Sequence, residues 1–442
     1  MTAPAGAGQL RRVLGVGFGV AVAVGSMIGA GILRTPADVA ARLPLPALFL
    51  SAWLLGGVYA LLGANALAEL GTMLPRSGGQ YVFVRHALGP YAGFLVGWND
   101  WLSTCGSMAA VALVVAGTAA TLVPAMLGRE ALVAILLVTG VAAVLWRGVR
   151  SSDLAQRTTS ALKAAVLLGL VVACLGARAW GRGVPDAGPA LVVPTGLGLA
   201  TAFVLALQGI LYTYDGWTGV LYFSEEVRDA GREIPRALFG GVMAVTALYL
   251  LLNVAFLVAL PLPVMARSPL AAASAATAVF GPSGGTVVQL LVVLALPSAV
   301  VANTLMASRV AYALARDGAA PALLARVNAG GTPATALAGS VVAAALFLLT
   351  GTFERVIAIC AFLFVASYAL SFTSVFVLRR REPESPRPYR AWGHPGTTGL
   401  VLAGSVAFMA GTVVADPSSG VVALALAAVS VPVYWLSVRR KD

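Results

Sequence analysis

The sequence predicts an all-α integral membrane protein that crosses the bilayer twelve times. Hydrophobic residues make up 59% of the 442 residues, charged residues only 10%, and the mean hydropathy is +0.91. A soluble fold needs a charged surface to face water, whereas a surface that faces lipid does not. The apolar residues fall into long runs, and glycine-containing clusters interrupt two of them. The composition excludes an ordinary soluble domain, and the interruptions indicate where a site would lie.

Twelve runs are long and apolar enough to be membrane spans, because about 20 apolar residues cross the hydrocarbon core as a helix. The predicted spans are residues 13–33, 45–70, 90–122, 130–147, 156–177, 198–223, 236–260, 285–313, 333–350, 355–378, 397–415 and 419–438. The connections between them are too short for a soluble domain. We therefore expect residues 1–442 to form a single polytopic membrane domain.

The positive charges predict the orientation of these spans. With the N-terminus inside, 22 of the 29 Lys and Arg residues fall on the inner side and 7 on the outer side. Cytoplasmic loops carry such an excess, so both termini are expected in the cytoplasm and the protein in the inner (plasma) membrane of the cell. The net charge of +12 is explained by loops that face anionic lipid, so no nucleic-acid partner is expected.

Cysteine and histidine are scarce, which disfavours several other roles. Cys105, Cys174 and Cys360 all fall within apolar runs, so we expect buried thiols and no disulfide-linked subunit. His86 and His394 have no acidic residues at metal-ligand spacing, so no metal or cofactor is expected and a polytopic membrane enzyme is disfavoured. A passive channel is disfavoured too, because it would carry polar stripes along several helices.

The first span contains three glycines within seven residues. Each glycine weakens a helix by about 1 kcal/mol relative to alanine, so the cluster predicts a break. Alternatively, small residues four apart, here Gly25 and Gly29, allow two helices to approach closely. The segment consists of Gly25, Ser26, Met27, Ile28, Gly29, Ala30 and Gly31.

The sixth span contains a charged residue at its centre. Asp215 costs roughly 3 kcal/mol to insert at that depth, and Gly216 follows it in the segment 212–219. A structural aspartate that pairs with a neighbouring hydroxyl is the alternative to a functional one. The glycine beside the aspartate favours a second break.

Interruptions in the first and sixth spans fall at corresponding positions of two five-helix halves. Such a pair indicates an inverted-repeat transporter with its site at mid-membrane. The start of a half-helix offers amide N–H groups to a carboxylate, and the end of one offers carbonyl groups to an ammonium. An α-amino acid carries both groups one carbon apart, so two facing breaks can hold it through the peptide backbone.

Short motifs recur in order along nearly the whole chain. They are GSMIGAGI at 25–32, PRSGGQY at 75–81, YDGW at 214–217, SEEV at 224–227, REIPR at 232–236, SRVAY at 308–312, ARDG at 315–318 and RPYR at 387–390. With these motifs the chain resembles the amino acid–polyamine–organocation superfamily of transporters, and in particular bacterial relatives of L-type amino acid transporters.

The resemblance implies a LeuT-like five-plus-five inverted repeat with helices 1 and 6 broken at mid-membrane. The repeats would cover about 13–180 and 196–380, followed by helices 11 and 12 at about 396–438. The carboxylate of the substrate would meet amides near Gly29 to Gly31, and its amino group would meet carbonyls in both breaks. The implied substrate-binding residues are Gly25, Ser26, Met27, Ile28, Gly29, Ala30, Gly31, Tyr212, Tyr214, Asp215, Gly216, Trp217 and Asn303.

Some of these residues have open alternatives. Tyr214 and Trp217 are either an aromatic gate or ordinary packing. Lys163, early in the fifth span, matches a lysine that replaces a sodium ion in similar transporters, either as a fixed cation in an exchanger or as a titrating group in a proton symporter. A lysine that snorkels to the inner interface is its alternative. Asp100 in the third span has a structural role or pairs with another span.

The expected function is secondary active transport of small neutral amino acids by alternating access, through exchange or proton-coupled symport. The partners would be an amino acid substrate, the lipid bilayer and, for symport, protons. Asp215 is the only acidic residue expected in the site. Cationic amino acids or polyamines are therefore the second choice of substrate.

Overall fold

The structure, a computed structural model, describes residues 15–76, 78–146, 153–177, 186, 188–328, 332–349 and 351–438. All regular secondary structure in these residues is helical. The α-helices are α1 (Val16–Met27), α2 (Ala30–Arg42), α3 (Pro46–Met73), α4 (Gln80–Leu88), α5 (Pro90–Leu122), α6 (Glu130–Trp146), α7 (Asp153–Gly176), α8 (Gly196–Tyr214), α9 (Ala230–Ala259), α10 (Leu262–Ala266), α11 (Ala271–Phe280), α12 (Pro282–Ala295), α13 (Pro297–Arg316), α14 (Ala334–Leu348), α15 (Phe353–Arg381), α16 (Gly396–Ala415) and α17 (Pro417–Val438). In the same residues, 3₁₀ helices cover Pro124–Met126, Trp217–Glu226 and Ala322–Ala325.

The helices confirm an all-helical protein with several membrane-spanning segments. In the described part of the chain, eight helices are long and apolar enough to cross a membrane, and the bent pair α1 and α2 forms a ninth candidate. The predicted fourth and ninth spans correspond to α6 and α14, which have 17 and 15 residues. They are apolar but shorter than the other spans, as is the apolar part of α7. The count of twelve therefore stays a prediction.

The structure also contains helices that the apolar runs of the sequence do not predict. Both α4 and α11 are too short to cross a membrane, with 9 and 10 residues, whereas a membrane span is a run of about 20 apolar residues. The predicted span 285–313 is divided between α12 and α13. Pro297 begins α13, and a proline has no amide to continue the hydrogen bonding of the preceding helix.

α5 and α15 form the interior of the described bundle. Most of their residues are buried, whereas only a minority of the residues of α16 and α17 are. The first span packs against α9 through small residues, because a Cβ on Gly241 would lie on top of the side chain of Ala23. Helices whose contact is formed by small residues can approach closely. The first half of the broken span therefore packs tightly against α9.

A buried carboxylate attaches the loop after α15 to the end of α3. Glu69 is 1% exposed, and its oxygens accept hydrogen bonds from Nε and Nη2 of Arg379 at 2.8 and 2.6 Å. The Nε of Arg387 lies 3.2 Å from the same carboxylate, and the amide of Ala391 donates to it at 2.8 Å. The RPYR motif at 387–390 is thus part of a structural connection between α3 and α15.

We expect Glu69→Gln to destabilise the detergent-solubilised protein by about 3 kcal/mol, because it leaves two guanidinium groups without their buried counter-charge. Thermal unfolding followed by size-exclusion chromatography measures the change. Glu384→Gln, at an exposed position of the same loop, is the matched control and should change stability by less than about 0.5 kcal/mol. Equal stability of the two variants would contradict this role of Glu69.

Candidate functional site

The first span is interrupted at the predicted glycine cluster. α1 ends at Met27 and α2 begins at Ala30, and the two axes differ by 49°. Ile28 and Gly29 between them have extended backbone conformations. The first amides of α2 have no carbonyl one turn back in the helix, and no described side chain caps them. These N–H groups are free to bind an anion.

The sixth span is interrupted at the predicted aspartate. α8 ends at Tyr214, Asp215 is extended, and Gly216 has a φ of 105°. The chain then continues as the 3₁₀ helix Trp217–Glu226. A residue with a Cβ rarely adopts such a positive φ, so the glycine permits the sharp change of direction after Asp215.

The two interruptions lie against each other. A Cβ built on Gly216 would lie 2.9 Å from the Cβ of Ser26 and 3.0 Å from its carbonyl carbon. A Cβ on Gly31 would likewise collide with the side chain of Thr213. By contrast, a Cβ on Gly29 meets nothing within 4 Å. Gly29 therefore does not mediate helix packing, and Gly31 and Gly216 are the glycines that allow close approach.

A tyrosine of α9 joins the carbonyl ends of the two half-helices. The hydroxyl of Tyr249 donates to the carbonyl oxygen of Met27 at 2.6 Å and lies 3.2 Å from that of Thr213. Its ring packs against Trp53 and Tyr214 at centroid distances of 5.9 and 5.2 Å. This contact fixes the end of α1 relative to the end of α8.

A cavity of about 200 Å³ opens beside the two interruptions. The predicted site residues that line it are Gly25, Ser26, Met27, Ile28, Gly29, Ala30, Gly31, Tyr212, Asp215, Gly216 and Asn303. Tyr214 and Trp217 do not line it. The hydroxyl of Tyr214 donates to the carbonyl of Trp53 at 3.2 Å, and the ring of Trp217 packs on Tyr368 at a centroid distance of 5.0 Å. Trp217 therefore packs behind Tyr368, which lines the cavity, and does not face the cavity itself.

α5 supplies one wall of the cavity. Asp100, Thr104 and Ser107 line it, at a spacing that places them on one face of a helix. The expectation that Asp215 is the only acidic residue in the site is therefore wrong, because Asp100 lies there too. That helical spacing was a signal for Asp100 in the sequence. Gln80, Tyr222 and Tyr368 also line the cavity, and the sequence offered no comparable signal for them.

Each carboxylate in the cavity accepts a hydrogen bond from a tyrosine. The hydroxyl of Tyr368 on α15 donates to Oδ1 of Asp215. The hydroxyl of Tyr222 donates to Oδ2 of Asp100 at 2.9 Å. These bonds connect the interrupted sixth span to α15 and α5. None of the described residues that line the cavity is Lys, Arg or His.

α2 is also attached to the helices around it. Nη2 of Arg34 lies 2.6 Å from Oε1 of Glu354 on α15, and the hydroxyl of Thr213 donates to that of Thr35 at 3.2 Å. These contacts hold the segment that carries the free amides. Lys163 is in α7, but its side chain lies outside the described residues, so the structure does not place the predicted cation.

Comparisons with known proteins identify the family of the chain. A sequence profile described as amino acid permease matches residues 19–436. The chain is 26% identical over 437 residues to the serine/threonine exchanger SteT of Bacillus subtilis (strain 168), covering 98% of each chain. It is 30% identical over 397 residues to the human large neutral amino acids transporter small subunit 2, covering 86% of this chain and 72% of that one. The rabbit (Oryctolagus cuniculus) b(0,+)-type amino acid transporter 1 is 27% identical over 395 residues, covering 86% and 79%. With a match that covers nearly all of its length, the chain belongs to the amino acid permease family.

Proposed function

We propose that the protein is a secondary active transporter that carries small neutral amino acids across the membrane by alternating access. The observation that carries this proposal is the contact of two helix interruptions beside one cavity, at Ser26 and Gly216. Helix ends offer unpaired amides and carbonyls, which are the two groups that a zwitterion needs. No covalent chemistry is required of the site.

In the proposed complex, the amides of Gly29, Ala30 and Gly31 bind the substrate carboxylate at the start of α2. The ammonium group binds carbonyl oxygens at the ends of α1 and α8 and the carboxylate of Asp215. The carbonyl of Met27 already accepts a hydrogen bond from Tyr249, but a carbonyl oxygen has a second lone pair. Both charges of the substrate are then compensated without an arginine or lysine.

Cavity size and relatives support a small substrate. The volume of about 200 Å³ is below the roughly 300–1,000 Å³ of pockets for drug-sized ligands. The serine/threonine exchanger among the relatives is consistent with this class. A cationic amino acid is the second candidate, because Asp100 adds a carboxylate to the cavity.

We further propose twelve membrane spans, in which α6, α7 and α14 complete the nine candidates. The first ten form inverted repeats at about 13–180 and 196–380, and α16 and α17 follow outside the repeats. The excess of Lys and Arg on one side supports cytoplasmic termini and the inner (plasma) membrane. Alternating access would then move the halves of the broken spans relative to α5 and α15.

Lys163 is the proposed coupling or structural cation, which bridges the first and eighth spans. We expect Lys163→Ala to lower transport about tenfold, the loss of roughly 1.4 kcal/mol of stabilisation, while membrane insertion is retained. Uptake into proteoliposomes at matched protein content measures the effect. Lys163→Arg keeps the charge and should retain more transport than the alanine variant. Normal transport by Lys163→Ala would support the snorkelling alternative.

Proteoliposomes preloaded with individual amino acids test the proposed function. A carrier saturates with substrate, and an exchanger takes up labelled amino acid faster when unlabelled amino acid is inside. Dependence on an imposed pH gradient would instead indicate symport with protons. Uptake that neither saturates nor responds to any internal amino acid would contradict a carrier of this class.

A further inference from the structure

Asp100 is a carboxylate that the binding of a neutral zwitterion does not require. The helix ends and Asp215 are sufficient for the two charges of such a substrate. Asp100, which is half-buried, nevertheless lines the same cavity, and a second carboxylate at membrane depth is costly when no positive charge lies beside it. A positive charge that enters the cavity together with the substrate removes this cost.

Among the described side chains that line the cavity, none supplies such a charge. Tyr222 donates to Oδ2 of Asp100, and no described side chain donates to Oδ1. Asp215, Tyr212, Tyr222 and Tyr368 are the other titratable side chains that line the cavity. The lining includes none of the charged side chains of the neighbouring helices α2, α4, α6 and α13. It also excludes Cys360 of α15 and Tyr434 of α17. Two ionised carboxylates in one cavity repel each other, so one of them readily takes a cation or a proton.

The volume of the cavity favours a proton as that charge. In the proposed complex, backbone groups of the substrate occupy the part beside Gly29 and Gly216, and the whole cavity holds only about 200 Å³. A long cationic side chain needs additional space, whereas a proton needs none. We propose that Asp100 takes up one proton when a neutral amino acid binds, so that both cross the membrane together. This inference rests on the proposed function of the cavity.

The step is a simple protonation. A proton from the outer solution forms an O–H bond to the carboxylate of Asp100, and that bond breaks when the proton leaves to the inner solution. While Asp100 is ionised, the hydrogen bond from Tyr222 is charge-assisted and therefore stronger than one between neutral groups. Protonation weakens this connection between α5 and the segment Trp217–Glu226. It thereby links the proton to the movement of half of the broken sixth span.

Asp100→Asn tests the proposal, because the amide has the same shape but does not take up the proton. In proteoliposomes, the probe is the neutral amino acid that gives the fastest counterflow in the preloading experiment. For the unmodified protein, an inwardly directed proton gradient should drive accumulation of this probe. For Asp100→Asn, we expect the ratio of gradient-driven accumulation to counterflow at equal pH to fall at least about tenfold, so that any change in substrate binding, which affects both activities, cancels.

Asp416→Asn is the matched control, since it makes the same change at a helix cap between α16 and α17, where asparagine caps equally well. It should keep both activities. A ratio for Asp100→Asn that matches that of the unmodified protein would overturn the proposal, as would accumulation driven by sodium instead of protons. In another contrary outcome, free lysine competes with the probe for uptake by the unmodified protein but not by Asp100→Asn. That result would show that Asp100 binds the side chain of a cationic substrate instead of a proton. Counterflow without any response to the pH gradient would overturn proton coupling alone, and absence of counterflow would overturn the proposed function itself.

Discussion

Gly29→Leu is expected to weaken substrate binding at least about a hundredfold, the loss of roughly 2.7 kcal/mol. A Cβ at this position meets no atom within 4 Å, and the backbone of Gly29, with φ −132° and ψ −157°, is extended. A larger residue therefore fits the fold without strain. Its side chain would occupy the cavity that Gly29 lines, where the substrate carboxylate is proposed to bind.

Two measurements separate this effect from misfolding. Size-exclusion chromatography in detergent should show the same elution profile for Gly29→Leu as for the unmodified protein, while thermal stabilisation by substrate disappears. Gly29→Ala adds a single methyl group and should lose about tenfold or less in affinity. Unchanged affinity in the leucine variant would place the substrate elsewhere.

Gly216→Ala is expected to reduce transport about a hundredfold, the usual effect of moving a binding group by about 1 Å. Two constraints act at this position. Its φ of 105° is unfavourable for alanine and costs about 1–3 kcal/mol. The added Cβ would also lie 2.9–3.0 Å from Ser26 atoms, including the backbone carbonyl carbon. Since backbone does not move aside as a flexible side chain does, the two interruptions have to separate.

Gly140→Ala is a suitable comparison for this variant. Gly140 lies within α6, and a Cβ there meets nothing within 4 Å, so alanine should preserve transport and add up to about 1 kcal/mol of stability. Thermal unfolding and initial uptake rates should be measured for both variants. If Gly216→Ala transports at the rate of Gly140→Ala, close contact of the two interruptions is not needed for function.

The sequence predicted those features of the site that depend only on neighbouring residues in the chain. Glycines and a mid-span aspartate weaken a helix at the position where they occur, so both interruptions were predictable, and all seven residues of the segment 25–31 line the cavity. The sequence left Tyr214 open between an aromatic gate and ordinary packing. Whether its ring faces the cavity or Trp53 depends on the direction of the backbone at the end of α8, which no local pattern specifies.

Partners from distant parts of the chain were the least predictable. Tyr222 and Tyr368 meet the two carboxylates only because α5, α15 and the broken sixth span pack together. In the sequence, each is an ordinary aromatic residue within an apolar helix. α4 was missed for a different reason: it contributes Gln80 to the cavity but is too short to give a signal as a span.

The hydroxyl of Tyr249 has one proton and two acceptors, the carbonyls of Met27 and Thr213. In the proposed alternating-access cycle α1 moves away from α8, and this proton then passes from a shared position to whichever carbonyl stays within reach. A buried donor without an acceptor costs about 1–3 kcal/mol, and a donor with a choice of two avoids that cost in either arrangement. The pair of carbonyls thus keeps this buried donor hydrogen-bonded whether α1 stays beside α8 or leaves it.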